Sequence, residues 1–368
     1  MTPGLGDQPI VEAAHGAAER AARTQGLALA AATFVIAAGL AAARIGHGAP
    51  DFYVFWAAAR HWQAPYDPAV VAQLQAAIHL QGVWPFVYPP TFLLFVWPFA
   101  QLPLTLAYPL WTALSAALFV WEASRRIRPV WAAAALWAVP PVFFSAALGQ
   151  PTLFVGAAML AGWRLAERRP HLAGVIFALA ACMKPQAMIL APVALFGNWR
   201  ALGAMLAAGA ALAGASLAFG LGPWLAWPHA LAAFAQIAPA AERTNPSALI
   251  ASPWWSAALA AFGVMFAWRN KNLLGMAAGA LWLTPYAHDY DLAPLAPLAV
   301  SWLIERRRGW GPAISGGALL AGLVASPLAS LAFLGSLTIF GSPLWPAARR
   351  AAADAPALSP GAYASGAE

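Results

Sequence analysis

The sequence predicts an all-α polytopic membrane protein, and three observations support this prediction. Of its 368 residues, 62% are hydrophobic and only 9% are charged. A soluble domain has about a quarter of its residues charged, so this chain lacks the polar surface that a soluble globule needs. The apolar residues also form long runs separated by short arginine-rich segments, which is the pattern of successive membrane helices.

The apolar runs predict a bundle of about 11 to 13 transmembrane helices. Several runs are shorter than the roughly 20 residues of a straight span, and proline breaks some of them. Such helices are tolerated where neighbouring protein or a water-filled cavity shields their backbone. The predicted helices lie near residues 27–45, 104–124, 130–147, 151–166, 171–184, 186–198, 201–221, 252–268, 273–287, 291–304, 311–326 and 328–345.

The stretch YPPTFLLFVWPFAQLP, residues 88–103, decides the orientation of everything that follows it. It offers about four helical turns between prolines, which favours a re-entrant or interfacial segment over a span. If it does not cross and the N-terminus is cytoplasmic, the arginine clusters all face the cytoplasm, as the positive-inside rule requires. The only Lys and Arg residues left outside are then Arg44, Arg60, Lys184 and Arg243.

We expect a cytoplasmic segment at 1–25, a single transmembrane domain at 26–346 and a disordered cytoplasmic tail at 347–368. The apolar run that opens the domain is longer than a signal-peptide core, which favours an uncleaved first helix. Long outer loops are predicted at 46–87 and 222–251. The expected location is a bacterial-type plasma (inner) membrane. The first loop should contain an amphipathic helix over 67–80 and the interface-belt aromatics Phe52, Tyr53, Phe55, Trp56, Trp62 and Trp84.

In this orientation the polar residues that solubility does not explain converge on the outer side, which indicates a site opening outward. They include Asp51, Asp67, Tyr88, Gln150, Lys184, Gln186, His288, Asp289 and Asp291. Asp51, just past the first helix, is a candidate general base that takes a proton from an acceptor hydroxyl. The alternative is a loop carboxylate that simply faces water.

The segment LTPYAHDYDLAPL, residues 283–295, places His288, Asp289 and Asp291 in an apolar run without a nearby Lys or Arg. An Asp at the centre of a membrane costs roughly 2.5–3.5 kcal/mol, and less near the interface. The three groups suit positioning an acceptor, binding a divalent cation, or holding phosphate through a protonated histidine. The alternative is a short, solvated outer turn.

Lys184 follows an apolar run and precedes Pro185 and Gln186, a setting that suits a phosphate group. Snorkelling of the lysine to the interface explains it as well. Gln150 lies in the tight turn GQP and is a candidate hydrogen-bond donor to a ligand. Tyr88 starts the YPP entry to the re-entrant segment, and backbone geometry alone is enough to explain a residue at this position.

Several classes of function lack their sequence signals. The net charge of +7 reflects cytoplasmic arginines rather than a nucleic-acid surface. The single cysteine, Cys182, excludes a disulfide within the chain and a cysteine-based metal cluster. We find no Walker loop, HExxH motif or dinucleotide-binding fingerprint. No metal site is predicted; a divalent cation between Asp51 and Asp289 or Asp291 stays an open alternative.

An ordered set of motifs resembles glycosyltransferase family 87, the polyprenyl-phosphate-mannose-dependent type of enzyme. The set begins with Asp51 and continues with PYD (65–67), the segment 88–103, GQPTLFVGAAMLAG (149–162) and LAGVIFALAACMKPQAMILAPVAL (172–195). The similarity covers roughly residues 45–300. It implies a GT-C fold, with the active site on the outer face and no nucleotide site.

The resemblance also implies roles. The enzyme would transfer a hexose, mannose as the default, from a polyprenyl-phosphate donor to an extracytoplasmic lipid or glycan, with inversion. Asp51 would be the catalytic base. The carrier phosphate would contact Lys184, Gln186, Gln150 and Tyr88, and the acceptor or phosphate side would be lined by His288, Asp289 and Asp291.

Two other classes of function remain as alternatives. A transporter or flippase of a lipid-linked or anionic substrate also needs broken helices and polar groups in the membrane. It would show a polar route through the bundle, and the sequence has no evident two-fold repeat. A non-catalytic membrane scaffold would leave the polar residues in solvated turns.

Overall fold

The computed structural model describes residues 8–45, 51–77, 84–185, 195, 197–237, 261, 264–265, 268 and 289–304. Every regular element in these ranges is helical, and the protein is an all-α polytopic membrane protein, as predicted. Three described helical stretches are long and apolar enough to cross a membrane: Gly16–Arg44, Leu104–Ser124 and Trp199–Phe219. A fourth crossing is available if one bent pair of helices acts as a single span.

The helices are numbered here in chain order. They are α1 (Gln8–Arg44), α2 (Asp51–Arg60), α3 (Pro68–Ala77), α4 (Pro90–Ala100), α5 (Leu104–Ser124), α6 (Pro140–Leu148), α7 (Thr152–Leu165), α8 (Pro170–Met183), α9 (Trp199–Ser216), α10 (Gly222–Ile237) and α11 (Ala296–Ile304). Three 3₁₀ helices accompany them, at Val130–Ala138, Leu217–Phe219 and Asp289–Leu295.

Helix α1 begins at Gln8, well before the start predicted at residue 27. The apolar run marked only the part of the helix that is suited to lipid. The polar residues before it continue the same helix, because alanine, glutamate and arginine are strong helix formers. Helix α1 packs along α5, and α5 in turn packs against α7.

The helix predicted over 130–147 is broken. The chain forms the 3₁₀ helix Val130–Ala138, turns by 73° and continues as α6. The break lies at Val139, which has an extended backbone (φ −87°, ψ 114°) and precedes Pro140. A proline disfavours helical geometry in the residue before it but is well suited to the first turn of the next helix.

The outer loop predicted over 46–87 contains two helices, α2 and α3. The interface-belt prediction was wrong for Phe52, Tyr53, Phe55 and Trp56, since all four are buried in α2. They form one aromatic core with residues of α4 and α5. Helix α3, at Pro68–Ala77, accounts for most of the helix predicted over 67–80.

The segment 88–103 contains α4, which packs against α2, α5, α8 and α9. Its 11 residues extend about 16 Å, roughly half of the hydrocarbon thickness of a membrane. A re-entrant or interfacial placement of this segment stays a prediction, as do the orientation of the chain and its domain boundaries.

The predictions for the segments after residue 221 match the structure in part. The outer loop predicted over 222–251 begins with the helix α10. The helix predicted over 291–304 is divided into the 3₁₀ helix Asp289–Leu295, which contains Pro294, and α11. The helices predicted at 186–198, 252–268, 273–287, 311–326 and 328–345 lie wholly or mostly outside the described residues.

Candidate active site

The candidate site is built around the turn between α6 and α7, residues 149–152. Gly149 caps α6 in the left-handed conformation, with φ +65°. A Cβ atom at this position would lie 2.7 Å from the Cβ of Phe52 in α2. The Trp111 indole donates to the Gly149 carbonyl at 2.8 Å. The turn is therefore pressed against α2 and α5, and only glycine fits its first position.

The first half of the site joins Asp51, Gln150 and Tyr88. Asp51 is the first residue of α2, and its Oδ2 accepts a hydrogen bond from the Gln150 side-chain amide. The Tyr88 hydroxyl donates to Gln150 Oε1 at 2.8 Å. An ionised carboxylate only accepts, so it orients the NH₂ group of the amide, and the Tyr88 hydroxyl orients the carbonyl. The carboxylate is thereby held by a nearly fully buried neutral group.

Tyr88 is itself fixed from several sides. Its carbonyl accepts from the Tyr66 hydroxyl at 2.6 Å, and its ring stacks on Phe92 at 4.5 Å and meets Phe55 edge-on at 4.8 Å. Burial raises the pKa of Tyr66, which keeps its hydroxyl protonated as a donor. The aromatic core thus holds the hydroxyl that orients Gln150.

The second half of the site is a buried ion pair. Lys184 ends α8, is 2% exposed and pairs with Asp291. Its Nζ also donates to Thr152 Oγ1 at 3.1 Å and lies 4.9 Å from the centre of the Tyr290 ring. Thr152 Oγ1 is in turn 3.5 Å from Asp291 Oδ1. The ammonium therefore has a carboxylate, a hydroxyl and a ring face around it.

The two halves share one turn. Gln150, which binds Asp51, and Thr152, which binds Lys184, are separated only by Pro151. Thr152 is also the first residue of α7, whose N-terminal N–H groups carry partial positive charge. The turn 150–152 thus links the Asp51 carboxylate, through Gln150, to the Lys184 ammonium and a helix N-terminus, through Thr152. This arrangement is suited to removing a proton on one side and stabilising an anion on the other.

The structure brings together five of the predicted site residues: Asp51, Tyr88, Gln150, Lys184 and Asp291. Gln186 and His288 lie outside the described residues, and of Asp289 only the backbone, at the start of a 3₁₀ helix, is described.

Asp291 has a cationic partner that the local sequence did not reveal, because Lys184 comes from a distant helix. In the part of the chain that the structure describes, no three His, Cys, Asp or Glu side chains are grouped as a metal site would require.

Sequence reasoning missed Thr152 and Tyr290. Neither carries a charge, so neither has the large cost of burial in a membrane that singles out an ionisable residue. The signal for Thr152 was its place two residues after Gln150, at the start of the next helix.

The comparisons with known proteins give one clear result. No curated protein and no solved structure matches the chain significantly. The family model for glycosyltransferase family 87 matches residues 86–293, which is more than half of the chain and includes every site residue except Asp51. The match supports a membrane glycosyltransferase, and the chain belongs to glycosyltransferase family 87.

Proposed function

We propose that the protein transfers a hexose, mannose as the default, from a polyprenyl-phosphate donor to an extracytoplasmic lipid or glycan acceptor, with inversion. The observation that carries this proposal is the Asp51 carboxylate, which accepts from Gln150, two residues before the Thr152 that contacts the buried Lys184 ammonium. Family membership provides the reaction class, and the site provides a base and an anion-stabilising side.

Asp51 acts as the general base. It accepts the proton of the acceptor hydroxyl as that oxygen attacks the anomeric carbon of the sugar. The new bond joins the acceptor oxygen to the anomeric carbon, and the bond that breaks joins this carbon to a phosphate oxygen. The electron pair leaves with the carrier, which departs as polyprenyl phosphate. Attack opposite to the leaving group inverts the anomeric configuration.

The carrier phosphate is bound on the opposite side of the sugar. We assign Lys184 and Gln150 to it, together with Tyr88 and Gln186. Because Asp291, Thr152 and the Tyr290 ring surround the Lys184 ammonium, a phosphate oxygen reaches it by replacing one of them. Asp291 is the neighbour that a second anion displaces most directly, and it then faces the acceptor side with His288 and Asp289.

A lipid-linked donor suits the rest of the chain. Its phosphate lies at headgroup level while its tail stays in the bilayer, so the enzyme needs a polar pocket at the interface between helices. Short apolar helices surround the site, among them α4, α7 and α8. The absence of a nucleotide fingerprint from the sequence agrees with a donor that carries no nucleotide.

The test is a transfer assay with purified protein in detergent or liposomes. Polyprenyl-phosphate mannose, glucose and galactose, each radiolabelled, are supplied with a membrane lipid extract, and nucleotide sugars serve as the comparison. We expect a labelled product from at least one polyprenyl-phosphate sugar and none from a nucleotide sugar. Transfer from a nucleotide sugar alone would refute the proposed donor. Movement of an intact lipid-linked sugar across liposomes without transfer would favour a flippase.

The outward placement of the site has a separate test. The site lies at the N-terminal end of α7, and the bidentate Arg164–Glu122 ion pair lies at its other end, with N–O distances of 3.0 and 3.1 Å. In a Cys182→Ser background, an impermeant maleimide should label Asp67→Cys on intact cells, and Arg168→Cys only after lysis. The reverse pattern would refute the proposed orientation.

A further inference from the structure

The Thr152 side chain makes contacts that its sequence context does not indicate. It is buried, with 1% of its surface exposed, at the first position of α7. Its Oγ1 accepts a hydrogen bond from Lys184 Nζ at 3.1 Å and donates to Asp291 Oδ1 at 3.5 Å. A hydroxyl both donates and accepts, so one side chain joins both members of the ion pair.

The position of Thr152 relative to the catalytic base is fixed by the backbone. The Gln150 N–H bonds the Ser145 carbonyl at 2.9 Å, Pro151 has its φ locked by its ring, and the Val155 N–H bonds the Pro151 carbonyl at 3.0 Å. A displacement of Thr152 therefore also displaces Gln150, which holds Asp51.

We propose that Thr152 is a positioning residue for sugar transfer: its hydroxyl keeps the Lys184–Asp291 pair at a fixed position relative to the base, Asp51. This inference rests on the proposed function. The contact with Lys184 does not depend on Asp291. When phosphate replaces Asp291, Thr152 still accepts from the ammonium and keeps it aimed at the departing phosphate. Without the hydroxyl, the flexible lysine chain loses this second point of attachment.

A threonine that only filled space would respond differently to substitution from one that positions Lys184. Two substitutions separate these two roles. Thr152→Val keeps the shape and removes the hydroxyl, whereas Thr152→Ser keeps the hydroxyl and removes a methyl group. Thr112→Val is the matched control. Thr112 is also buried in a helix, and within the described part of the chain its hydroxyl has no hydrogen-bond partner.

The experiment measures kcat/KM for the active polyprenyl-phosphate sugar in all four proteins. A hydrogen bond to a charged group supports a loss of roughly 10- to 100-fold for Thr152→Val. We expect Thr152→Ser to retain activity within about threefold of wild type, and Thr112→Val to match wild type. Wild-type activity in Thr152→Val, or equal losses in the Val and Ser variants, would overturn the inference. If Thr152→Val does not fold, Thr152→Ala replaces it, because it removes the hydroxyl without adding bulk.

A second measurement keeps the inference separate from the proposed function. The thermal midpoints of Thr152→Val, Lys184→Met and the double variant form a double-mutant cycle, with Thr112→Val and Lys184→Met as the control cycle. Wild-type protein that transfers no sugar from any donor would refute the proposed function. The cycle then tests the positioning contact independently of sugar transfer. Coupling between Thr152 and Lys184 supports it, and additive effects overturn it.

Discussion

Replacing Asp51 by asparagine removes the proton acceptor together with the negative charge of the carboxylate. Asparagine has the same shape, and its side-chain oxygen can accept the hydrogen bond that the Gln150 amide now donates to Oδ2 of the carboxylate. Exchanging a charged acceptor for a neutral one costs about 1 kcal/mol of stability, so the protein should remain folded. A general base contributes roughly 10²–10⁴-fold to a rate, or about 3 to 5 kcal/mol of the barrier.

We therefore expect kcat for Asp51→Asn to fall at least about 100-fold, measured as initial transfer rates at saturating donor. Asp67→Asn is the matched control. Asp67 Oδ1 accepts from the Ala69 N–H at 2.9 Å at the start of α3, and Asn caps a helix as well as Asp does. A folded Asp51→Asn variant with near wild-type kcat would refute the assignment of Asp51 as the base.

Two further substitutions test the framework of the site through thermal unfolding in detergent. Gly149→Ala should destabilise by about 1–3 kcal/mol, because it combines a positive φ with a 2.7 Å approach to Phe52. Gly203→Ala, at an open position of α9, is the control and should be neutral or stabilising. Equal thermal midpoints for the two variants would contradict the close packing of the turn at Gly149. Lys184→Met should destabilise by about 3–5 kcal/mol, since it takes the buried ammonium away from the Asp291 carboxylate. Adding Asp291→Asn should recover part of that loss, and a double variant that falls by the full sum would argue against the ion pair.

Charge made much of the site predictable. In a sequence with so few charged residues, Asp51, Lys184 and Asp291 are conspicuous, because each is expensive to keep near a membrane without a function or a partner. The sequence could not show that Lys184 and Asp291 are partners. That pairing depends on how α8 and the 3₁₀ helix at 289–295 both pack against α7, and no local pattern encodes it.

The fold was predictable where hydrophobic runs are long and ambiguous where they are short. Helix α5 matches its predicted bounds, because a long apolar run that starts after Pro103 and ends at Arg125 has few alternatives. Helix α2 was missed because its ten residues are too few to span a membrane, and its aromatics suit either an interface or a core. Tertiary packing against α4 and α5 places these aromatic side chains in the core.

The pairing of Asp291 with Lys184 argues against Asp291 as the base. Were Asp291 the base, accepting a proton during transfer would leave the Lys184 ammonium buried without its counter-charge, which is strongly unfavourable. Asp51 accepts a hydrogen bond from the Gln150 amide, and this bond survives protonation, because a carboxylic acid keeps an oxygen that accepts. Asp291 is suited to the opposite task. It neutralises Lys184 until a phosphate takes its place, so that the buried site never holds an isolated ammonium. The same turn contacts both carboxylates, through Gln150 and Thr152, and the pairing with Lys184 is what sets Asp291 apart from the base.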